Sequence, residues 1–384
     1  MEKKKILFVT TRSPFSNIFS GDRYRAKQII ENLEKKHNVD VVYSDNSRSL
    51  KTNRGKNFFF KRKFLDRIKR ILTCLITFKP LQLGYFYSSD IDNFLKKNHN
   101  NYNTIIFHLI RSAQYLPEEF KGKKILEMTD LISSNYRQVV KSLSFLNPMF
   151  YIYSLERFLV KKYEIYCADK FDKIICVSKN DFKNINIIKN KKLLIGIPNP
   201  HKNNKYIYSF KSSNYKIMFI GNIKYLPNKK SCYSFANKIL PKINIHYPNV
   251  EFHIVGHVDA IDKFLLNRIK NTYCHGTINK LDNIIKNSIC GICNLNIATG
   301  LQNKILTYIS YGLPCISSEL SYKNTFLVRN REILVYKNER HLIDLIKVLK
   351  RNKKLSKKIS KYSYLALKRK YNKKKIFTVY NKII

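Results

Sequence analysis

Apolar positions fall into short solid runs separated by helix-spaced stripes. Lys5-Ile-Leu-Phe-Val-Thr10, Val39–Tyr43, Tyr102–His108, Lys124–Asp130 and Lys173–Ser178 read as buried parallel strands. Between them, Ile29, Ile30 and Leu33 mark a helix beginning near Asp22, and Leu155–Tyr166 marks a longer one. The pattern restarts with strands over Tyr215–Asn222, Val250–Gly256, Tyr273–Thr277 and Ser288–Leu295, and a short helix over Leu281–Lys286. A tight turn at Thr299-Gly300 then leads into a helix with Ile305, Leu306 and Ile309 inside. Gly312 and Pro314 end it, and Pro314–Ser317 opens the next strand. This alternation predicts an α/β chain of two Rossmann-like halves. The expected divisions are a first domain over 1–196, a linker over 197–214, a second domain over 215–350, and a helical tail over 351–384. Ser178 and Asp181 suit the start of a helix, and Ile197-Pro-Asn-Pro200 marks the linker. The tail is expected to pack across the domains.

Phe58–Phe78 reads as one basic amphipathic helix. Phe64, Leu65, Ile68, Ile71, Leu72, Leu75 and Ile76 form its stripe, flanked by Lys61, Arg62, Lys63, Arg67, Lys69 and Arg70. It fits a membrane-surface helix or an ordinary domain helix with a solvated basic side. Asp90-Ile-Asp92 is expected to cap the helix starting at Ile91.

Composition narrows the function. The chain of 384 residues carries 73 basic and 26 acidic residues, a net charge of +47. Such a field favours anionic partners: nucleic acid, phosphosugars or an acidic membrane face. Abundant lysine, asparagine and isoleucine give part of it a purely compositional origin. No run approaches the ~18 apolar residues of a membrane span. The first apolar run is too short for a signal peptide, so a cytoplasmic location is expected. Eight scattered cysteines are then expected as free thiols. Cys290 and Cys293, on one strand, face opposite sides and suit neither metal nor redox pairing. His253 and His275 read as structural. The absence of a G-x-G-x-x-G motif disfavours a dinucleotide cofactor.

Candidate chemistry clusters at strand ends. Backbone N–H groups of Gly300, Leu301 and Gln302, at the expected helix start, form an anion site, with Asn303 and Lys304 one step further in. Gly21-Asp22-Arg23-Tyr24-Arg25 combines close backbone approach with two arginines suited to phosphate or carboxylate; Asp22 also suits a helix N-cap. Arg111 and Asp130 close the expected strands of the first half, where ligands of open α/β sheets bind. Asp130 also suits an N-cap.

Gly300-Leu-Gln-Asn-Lys-Ile-Leu resembles the donor-phosphate helix of family-4 glycosyltransferases, in particular a bacterial polysaccharide-building branch. G-D-R-x-R at 21–25, R-x-A-Q-Y-L at 111–116, and I-G-N-x-x-x-x-P-N at 220–228 resemble the same branch in the same order. The resemblance implies a GT-B fold, two Rossmann-like domains facing across a cleft that holds the active site. It implies a retaining, metal-independent sugar transfer from a nucleotide-sugar donor to a glycan acceptor, itself expected to be lipid-linked. No cofactor and no nucleic acid are implied. It assigns Asp130 and Lys304 to catalysis. Donor binding falls to Gly221, Asn222, Lys224, Lys229, Thr277, Gly300, Leu301, Gln302, Asn303 and Thr307; Lys230 offers further charge. Gly21, Asp22, Arg23, Arg25 and Arg111 face the acceptor. The pattern's ribose-binding glutamate is replaced by Thr307, and its diphosphate arginine is absent. Two alternatives follow: a non-catalytic GT-B homologue that binds glycan or nucleotide, and a basic nucleic-acid-binding protein.

Overall fold

The structure, a computed structural model, describes residues 3–15, 21–44, 55–177, 194–196, 206–278, 280–298 and 300–384. Ser178, Asp181, Thr299 and the Pro-Asn linker motif lie outside the described residues. The chain forms two compact units, Met1–Asn199 with Lys374–Ile384, and Pro200–Lys373.

The first unit holds a seven-stranded parallel sheet in the order β3-β2-β1-β4-β5-β6-β7. Its strands are β1 (Lys5–Thr10), β2 (Asn38–Ser44), β3 (Asn57–Phe60), β4 (Thr104–His108), β5 (Lys123–Thr129), β6 (Lys173–Cys176) and β7 (Leu194–Gly196). The two-residue period of a strand sends alternate side chains to opposite faces. Ile6 and Phe8 therefore join Ile29, Ile30 and Leu33 in one core, with Ile376, Phe377 and Tyr380. Leu7 and Val9 join Ile91, Leu95, Ile105 and Phe107 in the other. The second unit repeats the plan with six parallel strands in the order β10-β9-β8-β11-β12-β13. These are β8 (Lys216–Ile220), β9 (Glu251–Val255), β10 (Thr272–Gly276), β11 (Ser288–Cys293), β12 (Cys315–Ser318) and β13 (Leu334–Tyr336). In each unit the first strand lies beside the fourth, and that reversal opens a crevice at the strands' carboxyl ends.

Several sequence expectations are corrected or extended. Residues 57–60 are strand β3, not helix, in register with β2 at Val42–Phe58. The aromatic run Phe58-Phe59-Phe60 fits a sheet edge better than a helical turn, and Phe58 packs on Phe94 with centroids 4.5 Å apart. The basic helix spans only Phe64–Ile76. A further strand, β7, absent from the sequence reading, pairs with β6 at the sheet edge. The long helix runs Pro148–Lys170, because Asn147 caps Met149 N–H and Pro148 suits the first turn. The helical tail forms two helices. Helix Lys353–Lys370 belongs to the second unit, and all but the first residue of helix Lys373–Ile383 to the first. Asp90 and Asp92 sit in the first turn of helix Ser89–Asn98 without capping it; they pair with Lys63 and Lys96.

Candidate active site

In the first unit, the reversal lies between β1 and β4. Thr10 and His108 end these strands in register, and Thr10 Oγ1 lies 3.3 Å from His108 Nδ1. His108 is buried, and its Nε2 has no hydrogen-bond partner among the described residues. Burial lowers its pKa to about 3, and the Arg25, Arg111 and Arg12 cations lower it further against Asp22. The imidazole is therefore neutral. The next residue, Leu109, has φ +69°, and Thr129 at the end of β5 has φ +66°. Branched or bulky residues rarely hold this conformation, and such strain concentrates at functional sites.

Three guanidinium groups surround one ring here. Those of Arg12, Arg62 and Arg111 lie 5.5, 5.5 and 4.0 Å from the Phe86 centroid. Arg12 also reaches Asp22 at 3.0 Å. Burial and the neighbouring Arg12 depress the Arg111 pKa to about 10, so the cluster is crowded with positive charge. The sequence reading named Arg111 and missed Arg12, Arg62 and Phe86. Arg12 stood in view directly after the first strand; Arg62 was hidden by the misread helix.

The G-D-R-x-R segment opens helix Gly21–Leu33. Gly21 is exposed, and Asp22 and Arg23 are partly exposed. Arg25 is 2% exposed and turned inward. Its Nε donates to Glu127 Oε1 at 2.8 Å, and Tyr380 Oη donates to Glu127 Oε2 at 3.0 Å. Arg25 thus holds the scaffold rather than offering a grip to a ligand. Asp130 follows Thr129 directly. Burial raises its pKa to about 6, with Asp22 and Glu127 adding to the rise and Arg25 opposing it. Leu131, not Asp130, occupies the N-cap of helix Ile132–Ser142.

In the second unit, the reversal lies between β8 and β11. Gly221 and Asn222 follow β8; Gly221 N–H bonds Val255 O at 2.9 Å, and Asn222 is exposed. Opposite, Gly256 takes φ +145°, and a Cβ there would lie 1.8 Å from Gly221 O. Only glycine permits that approach. Gly300 has φ +62°, which shifts the helix start. The helix spans Asn303–Ser310 with Gln302 as N-cap, so Gly300 and Leu301 belong to the preceding turn. The first helical N–H groups are those of Asn303 and Lys304.

Lys304 is buried. Its Nζ donates to Asn228 Oδ1 at 2.6 Å and lies 4.1 Å from the Phe219 ring centroid. Burial lowers its pKa. It pins the helix beneath the Gly221 turn, where its Cε would meet a Gly221 Cβ at 3.4 Å. Lys229 pairs with Asp262 at 2.5 Å, while Lys224, Lys230 and Thr277 are exposed. Thr307 is partly exposed, its hydroxyl donating to Asn303 O at 3.1 Å. Tyr308 was missed. Its hydroxyl accepts from Ile220 N–H at 2.8 Å and donates to Ile292 O at 3.1 Å, joining β8 to β11 where they part. Its ring covers Gly291, where a Cβ would lie 2.4 Å from ring carbon. A glycine in mid-strand was the available signal.

Two parallel sheets, each with a strand-order reversal, give the chain two Rossmann-like domains. Residues 214–352 match the family described as Glycosyl transferases group 1. That match lies within the second unit, and the chain as a whole has the GT-B fold shared by the following solved structures. Sucrose-phosphate synthase from Thermosynechococcus elongatus superposes with a TM-score of 0.70 at 13% identity, covering 99% of this chain and 98% of that one. HepE from Anabaena, in complex with UDP, gives 0.67 at 11% identity over 98% of each chain. WaaG, a glycosyltransferase involved in lipopolysaccharide biosynthesis, gives 0.65 at 11% identity over 97% and 99%. No curated protein matches the sequence.

Proposed function

We propose that this enzyme transfers a sugar from a nucleotide-sugar to a lipid-linked glycan acceptor in cell-surface polysaccharide synthesis, retaining anomeric configuration without metal or cofactor. The observation that carries this reading is the glycine-built turn pair of the second unit, Gly221 against Gly256, on a group 1 family domain. With no side chain on either glycine a diphosphate can approach the turn closely, while the Gly221 and Gly256 N–H groups are held by Val255 O and Gly276 O. Gly300, Leu301 and Gln302 shape the turn, and Asn303 and Lys304 N–H stabilise the charge that develops on the leaving nucleoside diphosphate. Asn222 and Lys224 meet the diphosphate from the β8 side; Lys229 is already engaged by Asp262. Thr277 and Thr307 contact the nucleoside. The UDP complex of the Anabaena neighbour supports uridine as the nucleoside.

The Arg12–Arg62–Arg111 cluster around Phe86 favours an anionic acceptor, and neutral His108 and Asp130 hold its hydroxyl groups. Gly21, Asp22 and Arg23 border that site. The exposed stripe of helix Phe64–Ile76, in which Phe64 and Leu65 are each 68% exposed, supports a peripheral position on the cytoplasmic face of a membrane. No helix among the described residues is long and apolar enough to cross one.

The test is thermal stabilisation of the purified chain by UDP, GDP, ADP and CMP. A ligand that binds only the folded state raises the melting point by mass action, about 2.7 kcal/mol at a hundred times Kd. A shift with UDP alone is expected; none with any nucleotide would move the reading to a glycan-binding homologue. Thr307→Glu restores the carboxylate of the related pattern and is expected to raise turnover. Asp130→Asn is expected to remove the acidic limb of the pH–rate profile near pH 6, because that carboxyl deprotonates as pH rises through about 6. A limb unchanged in this variant assigns it elsewhere.

A further inference from the structure

The first unit contains a cavity of about 580 Å³. Lys124 lies at the amino end of β5 and Phe171 just before β6, and both line it. Asp130 lies past the other end of β5, roughly 20 Å away at about 3.3 Å per residue. None of Arg12, Arg62, Phe86, His108, Arg111 and Asp130 lines the cavity, although Gln114 in its wall donates to Arg111 O at 2.9 Å. Arg70, Lys79, Lys124, Lys162 and Lys170 line it against a single carboxylate, Glu118. Its other walls are apolar and aromatic: Leu159, Tyr163, Tyr166 and Phe171. Phe78 lines it too, 75% exposed and at φ +50°. The apolar stripe of helix Phe64–Ile76 ends beside it, with Leu75 46% and Ile76 78% exposed.

Two polar atoms in the lining are buried and unsatisfied. Arg70 Nε, a donor, and Gln114 Oε1, an acceptor, have no hydrogen-bond partner among the described residues. Orphaned buried polar atoms are costly, and each calls for an explanation. A headgroup that supplies both an anionic oxygen and a hydroxyl satisfies both. A zwitterionic choline headgroup supplies no hydroxyl and brings its own cation against five basic residues. A free phosphate leaves the aromatic walls and the exposed apolar rim without a partner.

We infer that this cavity binds one molecule of an anionic phospholipid with a hydroxylated headgroup, of the phosphatidylglycerol type. The phosphate meets Arg70 and the lysines, a headgroup hydroxyl donates to Gln114 Oε1, and the acyl chains run along Phe78, Tyr166, Leu75 and Ile76. The inference rests on the membrane-surface reading above only in supposing lipid within reach.

The test uses monomeric short-chain lipid, so no bilayer is needed. Dihexanoyl-phosphatidylglycerol below its micelle concentration is expected to raise the melting point of the full chain. Dihexanoyl-phosphatidylcholine and inorganic phosphate at the same concentration are not. The Lys124→Glu/Lys162→Glu variant is expected to bind the anionic lipid at least tenfold more weakly while keeping the wild-type response to UDP, which also shows that it folds. Tyr166→Ala, which leaves all charges in place, is expected to weaken it as well. An equal response to inorganic phosphate, or an unchanged affinity in both variants, overturns the inference. Vesicle flotation separates the two readings. Flotation without monomer binding overturns the cavity and leaves the membrane reading; monomer binding without flotation does the reverse.

Discussion

Glu127→Ala lowers the first melting transition by roughly 10 °C, because breaking a buried ion pair costs about 3–5 kcal/mol and each kcal/mol is worth about 2–4 °C in a unit of this size. Glu127 is fully buried, and its partner Arg25 is 2% exposed. Burial pushes the Glu127 pKa up, and Arg25 and Tyr380 pull it back. Without the carboxylate, an arginine that cannot lose its proton is left in the core without the acceptor that its Nε reaches, and the Tyr380 hydroxyl loses its acceptor. One side chain joins three elements: β5, helix Gly21–Leu33 and helix Lys373–Ile383. The check is a double-mutant cycle read by thermal melting. Arg25→Met/Glu127→Leu, which removes both charges and keeps the volume, is expected to melt above Glu127→Ala. If the double variant melts lower still, the pair is not the source of the loss. Arg25→Ala is then also expected to weaken acceptor use indirectly, through the strand end that carries Thr129 and Asp130.

Gly256→Ala is expected to abolish the response to UDP. The new Cβ would stand 1.8 Å from Gly221 O and 2.6 Å from Gly221 C, both backbone atoms that no rotamer change can clear. The β8 turn that carries Asn222 has to move, and a 1 Å displacement of a binding turn is enough to weaken it a hundredfold. Gly276→Ala is the matched control. It also has positive φ, +79°, but its nearest neighbours to a Cβ are 3.7 Å away. Its cost is conformational alone, about 1–3 kcal/mol, with nucleotide binding retained. Equal loss in the two variants would show that strain, and not close approach, governs this turn.

The central strands were legible because a parallel sheet covered on both faces leaves solid apolar runs; the short edge strands β3, β7 and β13 were missed. Asp130 and Gly221 were legible as strand-end residues because each stands directly after a solid run, at the end of β5 and of β8. What failed was local geometry. Gly300 read as a helix start because glycine precedes many helices; its φ of +62° instead spends three residues in a turn. Lys304 was legible as a residue beside the anion site, but its burial was not. Only tertiary packing reveals Asn228 and Phe219 around it. The Phe86 arginine cluster joins positions 12, 62, 86 and 111, and no periodicity connects residues so far apart. Tyr308 looked like one more aromatic on an amphipathic helix until its hydroxyl was placed between two strands.

The last helix, Lys373–Ile383, completes the first unit, and this sets an order of events on the ribosome. At about 5–20 residues per second, the ribosome needs roughly 10–35 s to make the intervening second unit. Throughout that interval the nascent first unit has its sheet but lacks the Ile376 and Phe377 side chains of its core and the Tyr380 hydroxyl that helps hold Glu127. The half made first is finished last. Premature stop codons late in the reading frame would therefore damage the opening half of the protein, and chaperones would meet it with an apolar slot open.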